Sequence, residues 1–180
     1  MATVIVLGAK GRFGRAAVTA FQTGGWDVRV FGRGIAAADF PGCTSIQGNG
    51  QDSAGLTKAC QGADVIVHSI NPAYPLWSKE MPGLTRNVIA AARASGATVL
   101  IPGNIYNYGA GMPALLNEDT PWRPTTRKGK LRVEMEEAFR QSGVRTLVVR
   151  GGDFFEAEDS GDWFGHHITA KSHLGQTLYP

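Results

Sequence analysis

Three glycines spaced three apart carry the first chemical signal in this chain: Gly8-Ala9-Lys10-Gly11-Arg12-Phe13-Gly14 reads G-x-x-G-x-x-G. An apolar run, Val4 to Leu7, precedes it, and a segment of helical periodicity follows. In that setting each glycine has its own task. Gly8 makes a tight turn, Gly11 lets the backbone approach an anion, and Gly14 lets helix and strand close on each other. The N–H groups and positive end of the helix then face the anion. A diphosphate suits this arrangement, and with it a dinucleotide.

The end of the second strand bears on which dinucleotide. An NAD(H) site usually sets an acid there, roughly 20 residues past the glycines, to bond the ribose hydroxyls. This chain has Phe31-Gly32-Arg33, and Asp27 precedes the strand. Arg33, with Lys10 or Arg12, can clamp a 2′-phosphate through charge-assisted bonds of about 1.5–3 kcal/mol. NADP(H) is therefore favoured over NAD(H). Asp52, in Asn49-Gly50-Gln51-Asp52, either accepts from the adenine amine or serves as a turn or cap acid. His68-Ser69-Ile70-Asn71-Pro72 ends the fourth strand, so Asn71 is expected beside the cofactor. His68, inside a buried strand, is expected to be a satisfied core residue rather than a proton carrier.

These residues need a scaffold, and the hydrophobic pattern supplies one. Strands are predicted over 4–7, 28–31, 44–47, 64–70, 97–101 and 144–149. Phe13, Ala16, Ala17, Ala20 and Phe21 share one helix face, which Gly24-Gly25 terminates. Ser53 is expected to cap a helix running to Cys60. Leu84, Val88, Ala91 and Ala92 mark another helix, and Leu131, Met135, Ala138 and Phe139 a further one. Alternating strands and helices, with strands apolar nearly throughout, predict an α/β doubly wound parallel sheet covered on both faces. The expected strand order is 3-2-1-4-5-6, a Rossmann fold with its crevice at the carboxyl ends of strands 1 and 4.

Composition narrows the class. The chain has 180 residues, 43% hydrophobic and 18% charged, which suits one domain and excludes a disordered chain. A net charge of +3 and a pI near 9.0 admit an anionic ligand without demanding nucleic acid. Arg123, Arg127, Lys128, Lys130 and Arg132 form a basic stretch, but Glu134, Glu136 and Glu137 follow, so it reads as a solvated helix start. Cys43 and Cys60 match no zinc spacing, and the adjacent His166 and His167 diverge on a helix, so no metal is expected. Without a signal peptide or a membrane-length apolar run, the expectation is a cytoplasmic protein with no membrane partner.

Taken together, the chain resembles the short-chain dehydrogenase/reductase superfamily, most of all its extended or atypical branch, the NAD-dependent epimerase/dehydratase type. The resemblance runs from the first strand to about Phe155. It rests on the glycine turn, on Ile101-Pro102-Gly103-Asn104-Ile105-Tyr106-Asn107-Tyr108-Gly109, on Lys130-Leu131-Arg132-Val133-Glu134, and on Arg150-Gly151-Gly152-Asp153-Phe154-Phe155. It implies a Ser/Thr that orients a carbonyl and a Tyr that exchanges a proton with it. It also implies a Lys that lowers the Tyr pKa and holds the nicotinamide ribose, the role that falls to Lys130. In this register Thr126 stands at the tyrosine of Y-x-x-x-K and Asn104 at the serine. An aliphatic hydroxyl cannot replace a phenol as the acid, a loss of about 3–5 kcal/mol of barrier reduction. Tyr106 or Tyr108 could substitute, with Asn104 as a hydrogen-bond donor, or both tyrosines could pack a rigid loop.

The expected division is a nucleotide-binding domain over 1–155 and a partial substrate-side segment over 156–180. Trp163-Phe164-Gly165-His166-His167 is expected to form a substrate-side or interface helix. The family normally continues into a substrate lobe, so the chain is a fragment, or its substrate side is open or completed by a second copy in a homodimer. Two functions follow. One is an NADP(H)-dependent, epimerase/dehydratase-like oxidoreductase acting on a small carbonyl or sugar-like substrate. The other is a non-catalytic NADP(H)-sensing or binding protein similar to NmrA.

Overall fold

A computed structural model describes residues 1–152, 154, 169 and 171–176. Strands and helices follow one another as β1 (Thr3–Leu7), α1 (Arg12–Thr23), β2 (Asp27–Gly32), β3 (Thr44–Gln47), α2 (Ser53–Cys60), β4 (Val65–His68), α3 (Trp77–Ser95), β5 (Thr98–Gly103), α4 (Arg127–Gln141) and β6 (Thr146–Arg150), with a 3-10 turn, Ala37–Asp39, in place of a helix between β2 and β3. The strands form one parallel sheet in the order β3-β2-β1-β4-β5-β6. This is the Rossmann arrangement expected from the pattern.

Alternation along β1 shows why its sequence is apolar throughout. Val4 and Val6 join one core cluster with Val18 of α1 and with Val28 and Val30. Ile5 and Leu7 join the other, with Leu56 of α2, Val88 of α3 and Phe139 of α4. All four are fully buried. Each such side chain contributes roughly 1.5–3 kcal/mol on leaving water. The register fixes Leu7 between Phe31 of β2 and His68 of β4, so the three strand ends lie side by side under the glycine turn.

Three expectations need correction. Asp52, not Ser53, caps α2: its carboxylate accepts from the Gly55 N–H at 3.1 Å. A carboxylate reaches the first-turn N–H groups as well as a hydroxyl does, and the cap position came one residue early. Second, among the described residues the sheet is covered on one face only at its β6 edge. Val148 packs into the core, whereas Leu147 and Val149 are 55% and 44% exposed. Third, Arg132 of the basic stretch is not solvated but 8% exposed. The expected helix over Trp163 to His167, and Asp153 and Phe155, lie outside the described residues, as does most of 156–180.

Candidate functional site

The glycine turn has the geometry its spacing predicts. Gly8 adopts φ +81°, in the left-handed region that favours glycine, and a Cβ there would stand 2.9 Å from the Ile70 backbone nitrogen. A Cβ on Gly14 would overlap the Gly8 carbonyl oxygen and lie 2.8 Å from the Ala9 Cα. The turn is tied down by the Gly8 N–H donating to Phe31 O at 2.9 Å and the Gly11 N–H to Gly8 O at 3.0 Å. Gly11 is the N-cap of α1 and brings no side-chain oxygen to its first N–H groups. No acid sits in that first turn, so its N–H groups are left to an anion. A diphosphate fits this cradle, which any larger residue at Gly8 or Gly14 would disturb.

Around the cradle the predicted residues take distinct positions. Arg12 is exposed at the first residue of α1, and Arg33 is exposed just past β2. Phe13 turns into the core cluster on the α1 side and meets the Phe154 ring edge-on at 6.2 Å. Lys10 crosses from the turn to the β2 end, where its ammonium donates to Gly34 O at 2.7 Å and pairs with Asp39 at 3.1 Å. The Ala36 N–H and then Lys10 hold the Asp39 carboxyl below its usual range. Asn71 is exposed beyond β4. Asp52 lies at the head of α2, where the bond to Gly55 uses one carboxylate oxygen. A Cβ on Gly55 would strike that carboxylate, so glycine makes room for the cap.

The second half of the crevice is built by β5, a 3-10 turn over Ile105–Tyr108, and the start of α4. Asn104 caps that turn: its side-chain oxygen accepts from the Tyr106 N–H at 3.0 Å, which fixes its NH2 as the donor end. The two tyrosines part company. Tyr106 is 37% exposed, while Tyr108 is 6% exposed, with the Arg150 guanidinium 5.5 Å from its ring centroid. Tyr108 is thus a packing residue, and Tyr106 is the phenol that reaches the surface. Thr126 caps α4 by accepting from the Gly129 N–H at 3.0 Å, and Lys130 is exposed in the next turn. Gly129 is buried, and a Cβ there would stand 2.5 Å from the Tyr106 carbonyl oxygen.

Sequence reasoning missed the polar layer beneath this half. Arg150 pairs with Glu136 and donates to the Asn104 carbonyl at 2.6 Å. Arg132 reaches the Pro102 carbonyl. His68 is a core residue as expected, yet its Nδ1 has no partner among the described residues, and neither has the Asn107 carboxamide or Arg132 Nε. Burial, and then the Arg132 charge, push the imidazole pKa down to about 4. Also missed was Lys128, whose ammonium lies 3.7 Å from the Tyr74 ring centroid, tying α4 to the loop after β4. An Arg or Lys at a helix start carries no sequence sign of which way it turns.

Among the described residues no three His, Cys, Asp or Glu side chains come together as metal ligands, and no helix is long and apolar enough to cross a membrane. A family model described as NAD(P)H-binding matches residues 8–172. No curated protein matches the chain. Solved structures that share the fold of this chain include a short-chain dehydrogenase/reductase superfamily protein and UDP-sugar 4-epimerases. The Bordetella bronchiseptica enzyme WbmG in complex with NAD is 18% identical over 98% of this chain and 61% of its own, with a TM-score of 0.81. A short-chain dehydrogenase/reductase superfamily protein from Agrobacterium tumefaciens with bound NAD is 23% identical over 96% and 59%, at 0.72. The UDP-N-acetylglucosamine 4-epimerase from Bacillus cereus is 15% identical over 99% and 63%, at 0.79. The chain spans 52% of the WbmG structure that carries NAD and UDP, and at most 64% of the other solved chains compared.

Proposed function

The chain belongs to the NAD(P)H-binding family, and from that premise we propose that it uses NADP(H) in preference to NAD(H), as an epimerase/dehydratase-like oxidoreductase of the short-chain type acting on a small carbonyl or sugar-like substrate. One observation carries the cofactor preference. The Lys10 ammonium reaches Gly34 O at 2.7 Å, one residue from Arg33, so two cations share the end of β2. A 2′-phosphate at that end would meet both.

In this reading Gly8, Gly11, Gly14 and Arg12 hold the diphosphate, with Phe13 flanking the turn. Asp52 and Asn71 border the crevice, and Lys130 holds the nicotinamide ribose. The bound nicotinamide supplies or takes up hydride. The chain's own residues orient the substrate oxygen through the Asn104 NH2 and move a proton at the Tyr106 hydroxyl. The NAD held by WbmG supports a nicotinamide cofactor, and the UDP-N-acetylglucosamine 4-epimerase among the neighbours supports a sugar-like substrate. A second reading, a non-catalytic NADP(H) sensor similar to NmrA, draws on Thr126. Its hydroxyl caps a helix where the family's enzymes use a tyrosine.

Titration of nicotinamide fluorescence tests the cofactor reading. Arg33→Ala should weaken NADPH roughly ten- to a hundredfold and leave NADH unchanged. Equal binding of both nucleotides, untouched by that substitution, defeats the preference. Turnover across a panel of small carbonyls separates the two functions. The enzyme reading requires activity that Tyr106→Phe and Lys130→Ala reduce, and binding without turnover assigns the sensor.

A further inference from the structure

The loop that follows β2 is held from below. Ile35 and Phe40 are 2% and 5% exposed and belong to the core cluster on the α1 side, so the 3-10 turn Ala37–Asp39 between them has a fixed seat. From that seat the Asp39 side chain, one-third exposed, points back toward the β2 end. It accepts from the Ala36 N–H at 3.0 Å and pairs with Lys10 at 3.1 Å. The same Lys10 ammonium donates to Gly34 O. Arg15 stands nearby, its Nε donating to Lys10 O at 3.3 Å and its guanidinium 5.7 Å from the Phe40 ring centroid. A carboxylate is therefore built into the cationic rim that the cofactor reading assigns to a 2′-phosphate.

A carboxylate and a phosphate dianion compete for the same ammonium and repel each other. NADH brings no charge to this point, so the competition touches one nucleotide and not the other. Resting on the cofactor site proposed above, we infer that Asp39 is a specificity-setting residue: it neutralises Lys10 when no 2′-phosphate is present and must yield that cation when NADP(H) binds, which limits the preference for NADP(H). Asp39 thus moderates what Lys10 and Arg33 favour, and its removal sharpens discrimination instead of blunting it.

The test is fluorescence titration of the full chain with NADPH and NADH at low and high salt, using Asp39→Asn, Lys10→Gln and the double variant. Asparagine keeps an oxygen for the Ala36 N–H, so the loop retains its seat. Asp39→Asn should tighten NADPH about two- to fivefold at low salt and leave NADH unchanged. The gain should shrink at about 0.5 M salt, where exposed charges are screened, a dependence that a purely structural role would not produce. It should also shrink in the Lys10→Gln background, where only the direct repulsion between carboxylate and phosphate is left to relieve. Weaker NADPH binding by Asp39→Asn would make Asp39 a support for Lys10 and overturn the inference. Weaker NADH binding would make it a ribose acceptor, with the same result, and so would no change in either. A wild-type chain that bound neither nucleotide would instead remove the cofactor site itself.

Discussion

A neutral imidazole enclosed by Phe139 and a buried arginine makes folding depend on pH. His68 is 5% exposed, its ring centroid lies 6.2 Å from that of Phe139, and Arg132 adds positive charge beside it. Burial foremost, then that charge, lowers its pKa from the ordinary 6.5 to about 4. Below pH 6.5 the unfolded chain binds a proton that the folded chain refuses. Stability from this residue is therefore complete above 6.5 and is lost as the pH falls toward 4, by about 3 kcal/mol. Urea unfolding at pH 7 and pH 4.5 should show His68→Gln losing less stability between the two than wild type, the difference being the imidazole's share. Parallel losses would mean that the folded imidazole takes up its proton normally. The strand pattern around His68 disclosed that it is buried. It could not disclose Arg132, which arrives from a helix more than sixty residues later. A shorter separation, 29 residues, was still enough to hide Asp39 from Lys10, whereas the glycine turn, being local, was legible in full.

At the level of elements, the crevice is held open by ties between backbone and charge. Arg132 of α4 reaches the Pro102 carbonyl in β5, and Arg150 at the end of β6 reaches the Asn104 carbonyl just beyond it. Glu136 of α4, with its side chain 3% exposed, accepts from Arg150 through both oxygens. One carboxylate thus stands between two guanidiniums under the loop that carries Asn104 and Tyr106. Replacing Glu136 with Gln leaves Arg150 unpaired and should cost about 3 kcal/mol in chemical denaturation. NADPH affinity at the glycine turn should stay near wild type in the folded fraction, because the turn is tied to Phe31 and not to α4. A variant as stable as wild type would show that water already serves this pair. Strand order was readable because an open parallel sheet with right-handed crossovers leaves few alternatives. The polar layer was not, since Arg132, Glu136 and Arg150 look like surface residues until the helix face they occupy is known.

On the scale of the whole molecule, β6 sets the limit of the described fold. Among the described residues it is the last strand of the sheet, and its two faces differ: Val148 packs against the core cluster behind β5, while Leu147 and Val149 look outward. Nearby, Phe154 is 45% exposed as it meets Phe13 beside the glycine turn. The solved neighbours are longer chains, of which this one covers between 51% and 64%. A homodimer is expected where an unfinished substrate lobe leaves apolar surface open, and Leu147 and Val149 are such surface among the described residues. The two faces of β6 should therefore respond differently to substitution. Val148→Ala removes packed methyls and should cost about 1–2 kcal/mol. Leu147→Thr with Val149→Thr changes side chains already in water and should leave the unfolding free energy within about 0.5 kcal/mol. If that face joins two copies, light scattering will give a dimer mass for wild type and a monomer mass for the double variant. A mass that the threonines leave unchanged removes this face from any pairing, and a large stability loss from them would show that it is covered within one chain.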